Sequence, residues 1–556
     1  MSIVSLSNTS SVSKHVQDVS DYVPLQLRPL ATTKTRVYSF PTPADNPYNA
    51  WSHRCDLCAT SPTRDRLEGR TVAIKDNICV GGLPTTLGVP ANLLSDKNEY
   101  PVSAIDATVV SRILAAGVVI KGTSTCECFC ASLLSYTPAS GPVHNPPIHG
   151  YTSGGSSSGS CALVAALSLY PGRPDATGET VELAIGSDQA GSVRIPASFC
   201  GLLGPKPTFG LIPYTGAASM SPMIDHLGCI ATDLKEIATL LEVMAGYSCI
   251  DSRMSPESPM VGDFPGISPE VRNTVKRAAL QSFGAAGSKV TEVSIPMHRE
   301  GLVIWTAATG PSIWPMSQET YDSITSTNPA LANIIFSGHF TRDNLPSAIE
   351  AKAHRKAFEL REAYGSALEN VDILIMPCAL TVTMPHPSIT ESADHSSIME
   401  RLEAAIGVTS DTCPFNVTGH PAVNVPCGLG TAPLSPGLRL PIGMQIVGKR
   451  WCDDNVIMAA AVFQRGLTLD CRSRGSPGQK AMCSPNVIES NGTQGYDSSS
   501  FSIAACNHFA FSRFVAESAK FLPIEVIAFN PTRICACICG NAVASVKLSE
   551  VDIGVT

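Results

Sequence analysis

Basic residues give this chain no excess: 39 Lys and Arg stand against 47 Asp and Glu, a formal net charge of −8. That balance provides no broad cationic surface to grip a phosphate backbone, and nucleic acid is not an expected partner. No uninterrupted apolar run reaches the length of a bilayer span, and the opening MSIVSLSNTSSVSKHVQDVS lacks the apolar core of a secretory leader. The expectation is a cytoplasmic protein without membrane association, whose 20 cysteines stay as thiols. Zinc ligands are lacking too. Cys55 and Cys58 have the spacing of half a site, with no second pair to complete it. Cys126, Cys128 and Cys130 alternate, which suits small side chains in an interior better than a ligand set. There is no internal repeat.

What the sequence does have is the material for a core. Hydrophobic residues make up 44% of 556 positions, and the 43 glycines and 42 prolines indicate many loops rather than disorder. Residues 1–44 read as an N-terminal extension, 45–470 as the main domain, and 471–556 as a turn-rich, poorly ordered tail carrying Cys535, Cys537, Cys539 and a sequon at Asn491. Thr71 to Ile74 reads as a strand. Asp106 is placed to cap a helix through Ala116, with Val109, Val110, Ile113 and Leu114 on its apolar face and Gly117 as its stop. Residues 118–120 and TVELAIG (180–186) read as further strands. In DLKEIATLLEVMAG, Asp233 and Glu236 have capping-box spacing ahead of an apolar stripe of Leu234, Ile237, Leu241 and Met244. VDILIMP, AVNVP and IGMQIVG read as buried strands, and DDNVIMAAAVFQRG as a late helix. Alternation on this scale predicts a layered α/β fold.

The run Gly154 to Ser160 admits four readings. A flexible linker is disfavoured, because CALVAALSLY follows at once as a buried helix. A phosphate loop needs a lysine where Ser160 stands. A nucleophile elbow matches the letters Gly155-Ser-Ser157-Ser-Gly159, but HNPPIHGYTSG ahead of it reads as turn, with no strand to enter the bend. His144, His149, His226 and His420 could serve such an elbow as bases, yet nothing in the sequence singles one out. The fourth reading joins the run to two other places. One is Lys75, just after a buried strand, where a lysine loses solvation and can act as a base. The other is the tight turn Asp188-Gln-Ala-Gly191 ending in Ser192, whose successive N–H groups can form a nest for an oxyanion.

VAIKDN (72–77), GGSSSGS (154–160) and GSDQAGSVRIPASFCG (186–201) together resemble the amidase signature family, in its order and largely in its letters. GPVHNP, KPTFGLIPYTG, DHLG, PFNVTGHPAVNVPCG and PIGMQIVG add to the likeness, which covers residues 45–468. The resemblance implies a single large α/β domain with a mixed central β-sheet covered by helices. It also implies amide hydrolysis through a Ser–cis-Ser–Lys triad, with no metal and no cofactor. Carried onto this chain, Ser192 is the expected nucleophile. Ser156, after a cis peptide with Gly155, is the relay, and Lys75 is the general base. The N–H groups of Gln189, Ala190, Gly191 and Ser192 are the expected oxyanion donors, with Ser157 adding a hydrogen bond. Asp188 and Arg194 are expected to hold the loop, and Asp76 to face away from the lysine.

Two departures stand out. Ala190 occupies a position where much of the family has glycine, and would be strained if its φ were positive. Ser156 and Ser192 lie 36 positions apart, longer than the family's usual spacing, with LYPGRPDATGE read as the extra surface loop. The expected function is an amidase acting on a small-molecule amide, as a chain that could form a homodimer. The competing readings are a catalytically inactive binding protein of the same fold, or else an amidotransferase-type subunit. ECFCASLL (127–134) and the region from Trp305 to Trp314 are the expected pocket walls.

Overall fold

The computed structural model describes residues 36–63, 66–168, 180–246, 248, 251, 253–254, 269–308, 318–328, 330–332, 334–336, 348–387, 407–432, 434–474 and 543–547. The loop LYPGRPDATGE, Trp314, the sequon and Cys535 to Cys539 lie outside them.

Thr71–Lys75 (β3) and Val119–Ser124 (β4) pair in parallel, and Leu183–Asp188 (β7) joins the other side of β3, also in parallel. Most of their residues are buried, and all of those in β7, as parallel strands with helices on both faces should be. Trp51–Leu57 (β2) and Tyr38–Ser39 (β1) extend this ladder antiparallel beyond β4, and His226–Ile230 (β9) closes its far edge on β7. A second ladder runs through Lys289–Val293 (β10), Val543–Lys547 (β14), Ile373–Pro377 (β11), Ser435–Gly448 (β13), Ala422–Ala432 (β12) and Gly204–Lys206 (β8). A reciprocal backbone bridge between Leu203 and Ala231 joins β8 to β9. The two ladders therefore form one mixed central sheet, as the family resemblance implied. Of the segment beyond residue 470, residues 471–474 end the helix Asp453–Arg474, and Val543–Lys547 sits between β10 and β11.

The helices follow the apolar spacing with two corrections. The helix Thr108–Ala115 buries Val109, Val110, Ile113 and Leu114, but Asp106 does not cap it. Its carboxylate instead accepts the Gly81 N–H at 2.8 Å and pairs with Arg36 at 2.7 Å, a charge-assisted partner that outcompetes a neutral cap. In Leu234–Met244, Asp233 accepts from the N–H groups of Lys235 and Glu236. The reciprocal half of the box is missing, because Glu236 turns to Arg70. The apolar faces of both helices pack into the main core cluster with the strands.

Cysteines serve that interior. Cys126, Cys128 and Cys130 are all buried. Cys55 is buried while Cys58 is exposed, so the two do not converge. Of the other described thiols, Cys79 and Cys452 are half-buried and the rest are buried.

Candidate active site

Because β3 and β7 run parallel with Ile74 opposite Ile185, Lys75 and Ser187 emerge side by side at the carboxyl end of the sheet. Open α/β sheets place their sites at this end. Lys75 is fully buried. Its Nζ donates to Ser156 Oγ at 2.8 Å, to Ser187 Oγ at 2.8 Å and to the Ser187 carbonyl at 3.4 Å. Its partners are thus neutral oxygens. Asp76, next in sequence, faces elsewhere, accepting from Ser52 Oγ at 2.6 Å and from the Thr86 hydroxyl. Glu127 accepts from Thr137 Oγ1 at 2.7 Å and Ser158 Oγ at 2.8 Å. Burial pushes both carboxyls up to about 7, against the pull of those hydrogen bonds and, for Glu127, of the Lys75 charge.

The serine–glycine run is buried throughout, and its glycines answer close packing rather than flexibility. A Cβ at Gly154, whose φ is +80°, would strike the backbone of Pro196, and one at Gly159 would strike the Ala50 and Thr125 backbone. The Gly155–Ser156 peptide is cis. The segment ahead of the run corrects the expectation of a turn. His144–Asn145 and Ile148–Thr152 pair as a two-stranded hairpin, since Ile148, Tyr151 and Thr152 carry the β-branched and aromatic side chains that strands favour. This hairpin is separate from the central sheet. The Ser157 hydroxyl donates to the Ser187 carbonyl at 3.3 Å, and the Ser157 N–H to the Ser192 carbonyl at 3.1 Å. Lys75, Ser156, Ser157, Ser187 and Ser192 are thereby gathered at one place. Among the described residues no hydrogen bond joins the Ser192 hydroxyl to Ser156. Such contacts commonly tighten only when substrate is bound.

The turn bearing Ser192 hangs on a buried ion pair. Arg194 Nη2 meets Asp188 Oδ1 at 2.8 Å, both side chains fully covered. Burial alone would raise the Asp188 pKa. The Arg194 charge and the hydrogen bonds from Arg194 and Asn416 overcome it and hold the carboxyl well below its usual range. Asp188 also accepts the N–H groups of Gly191 at 2.8 Å and Val193 at 3.1 Å. Of the four N–H groups expected at an oxyanion, that of Gly191 is therefore already taken. Those of Gln189, Ala190 and Ser192 donate to nothing among the described residues. Ala190 is not among the residues with positive φ. Gly191 takes that role at φ +128°, where a Cβ would also collide with Thr412.

Further neighbours complete the site, and of these Ser187 carried no signal in the sequence. Ser187 is the second hydroxyl on the lysine. Gln189 Nε2 donates to Tyr214 Oη at 2.7 Å, and Trp305 Nε1 donates to the Gln189 carbonyl at 2.9 Å. Arg194 also reaches Gln445 Oε1 at 2.5 Å and Asn416 Oδ1 at 2.7 Å. Asn416 lies in PFNVTGHPAVNVPCG and Gln445 in PIGMQIVG, segments that contributed to the family likeness. The histidines are spent elsewhere: His226 on the Ile224 carbonyl, His420 on Thr418, and His144 on the Gly150 N–H and in a stack with His149. Among the described residues no group of three or more His, Cys, Asp or Glu could hold a metal ion, and no helix is long and apolar enough to cross a membrane.

A family model described as Amidase matches residues 30–457. An enantioselective amidase of Rhodococcus rhodochrous is 32% identical over 479 residues, spanning 78% of this chain and 86% of the relative. A glutamyl-tRNA(Gln) amidotransferase subunit of Methanosarcina mazei is 31% identical over 443 residues, spanning 72% and 84%. The solved structure of the corresponding subunit from Thermotoga maritima superposes with a TM-score of 0.58 at 25% identity, covering 76% of this chain and 88% of that one.

Proposed function

The chain belongs to the amidase signature family, and from that premise we propose that it hydrolyses the C–N bond of carboxylic amides through an acyl intermediate on Ser192. The observation that carries this reading is the buried Lys75 amine, 2.8 Å from Ser156 Oγ and hydrogen-bonded to no carboxylate. With no counter-charge on it and the relay hydroxyl in contact, the amine is placed to exchange a proton with Ser156.

In the proposed cycle Ser192 Oγ attacks the amide carbonyl while Ser156 takes its proton and passes its own to uncharged Lys75. The carbonyl oxygen, now anionic, receives the unspent N–H groups of the turn; one such donor is typically worth about 3 kcal/mol in the transition state. Protonated Lys75 returns a proton through Ser156 to the departing amine, and water then releases the acid by the same relay. The chemistry asks for no metal or organic cofactor.

The test is release of ammonia or amine from a panel of small amides, together with labelling by a fluorophosphonate probe. The expected result is turnover and labelling by the wild type, and loss of both in Ser192→Ala and Lys75→Met. Folded wild-type protein that neither turns over any amide nor labels would defeat the reading. The likeness to amidotransferase subunits favours a second reading, in which the same chemistry supplies ammonia to a partner-borne acceptor. Turnover by the purified chain alone supports the hydrolase; turnover that appears only with partner subunits supports the other.

A further inference from the structure

We infer that Trp305 is a positioning residue for the oxyanion site, acting through the Gln189 carbonyl. This rests on the acyl-Ser192 reading above. Each peptide from 188 to 193 is held by its carbonyl. Asn416 Nδ2 donates to the Asp188 carbonyl at 2.7 Å, Trp305 Nε1 to that of Gln189 at 2.9 Å, and Thr412 Oγ1 to that of Ala190 at 2.5 Å. The Ile195 N–H takes the Gly191 carbonyl at 2.8 Å, and the Ser157 N–H takes that of Ser192 at 3.1 Å. In a planar trans peptide the C=O and the following N–H point opposite ways. Fixing a carbonyl therefore fixes the direction of the next N–H. The donation to the carbonyl also polarises that N–H, making it a stronger donor.

The five pins are unequal. Asn416 and Thr412 belong to the helix Cys413–Thr418 and its leading residue, and are tied to the Asp188–Arg194 pair: Arg194 reaches the Thr412 carbonyl at 3.0 Å. Ser157 and Ile195 come from the site's own segments. Trp305 arrives from the separate helix Gly301–Ala308, is only half-buried, and holds the plane that carries the Ala190 N–H, one of the three unspent donors. With alanine at position 190 that N–H sits on a residue with ordinary φ, and its aim depends on the plane being held from outside. Trp305 touches no reacting atom; it sets the direction of a donor that does.

The test crosses two variants. Trp305→Phe keeps the aromatic packing and removes the N–H. Trp305→His keeps an N–H and gives up part of the packing. The expected result is a kcat about 10- to 100-fold lower for Trp305→Phe with KM within about twofold, and a smaller loss for Trp305→His. Fluorophosphonate labelling should slow in parallel, because the phosphonyl oxygen needs the same donors. Melting temperatures establish that both variants are folded. Should Trp305→Phe fail to fold, a folded Trp305→His that retains kcat still supports the inference, and one that loses it overturns it. Trp305→Phe with unchanged kcat, a change confined to KM, or a larger kcat loss in Trp305→His than in Trp305→Phe would each overturn it while leaving the amidase reading intact. A wild type without turnover or labelling would remove both.

Discussion

Two buried cations stand on either side of this site, and they are treated in opposite ways. Arg194 is matched by Asp188, with Asn416, Gln445 and the Thr412 carbonyl completing its hydrogen bonds. Lys75 meets only hydroxyls and a carbonyl. A guanidinium stays charged at any working pH, so burying it calls for a counter-charge and makes it structural. An amine held only by hydroxyls and a carbonyl, one of them the Ser156 hydroxyl, is placed for proton exchange. The partner set, more than the burial, separates scaffold from chemistry at these two positions.

The largest expected effect comes from breaking the matched side. Asp188→Asn leaves Arg194 buried without its counter-charge and should cost about 3–5 kcal/mol of stability, read from urea unfolding. Next is the attempt to make the lysine resemble the arginine. Ser187→Asp places beside Lys75 Nζ the counter-charge that the amine lacks, and amide turnover at neutral pH should fall by about 100-fold or more, measured in protein shown to be folded by its melting curve. Unchanged turnover would mean that Lys75 is not the base. The smallest effect sharpens the contrast with the neighbouring acids. Burial raises Glu127 to about 7, above its ordinary value, so the folded protein holds the proton more tightly than the unfolded chain. The stability this confers is present in full below the unfolded value and is lost as pH rises through about 7. Glu127→Gln should flatten the stability-against-pH curve over that window by up to about 1 kcal/mol per pH unit, measured by melting at stepped pH.

The strands of the sheet were legible because strands buried on both faces leave continuous apolar runs, as at the parallel Thr71–Lys75 and the antiparallel Ile373–Pro377. The positions of Ser156 and Ser192 were legible because the glycines beside them answer close packing and leave a fixed pattern of letters, and that of Lys75 because it ends an apolar strand. Ser187 was not, since a lone serine at a strand end looks the same whether it faces solvent or an amine. Thr412 was not, and Trp305 was legible only as part of a pocket wall, because their hydrogen bonds go to carbonyls more than a hundred residues away. The error at Asp106 has the same origin: its partner Arg36 lies 70 positions upstream, while the local rule sees only the helix ahead. The hairpin at Ile148–Thr152 was hidden by its short partner strand and the prolines of its turn.

The distribution of thiols has a practical consequence. Of the described cysteines only Cys58 is fully open to solvent, while those lining the core are sealed. Among the described thiols a maleimide dye added to native protein should therefore meet Cys58 first and the half-buried Cys79 and Cys452 next, whereas modification of Cys161, Cys200 or Cys229 would mark an opening of the interior. Peptide mapping of the labelled sites would then time unfolding without any engineered reporter.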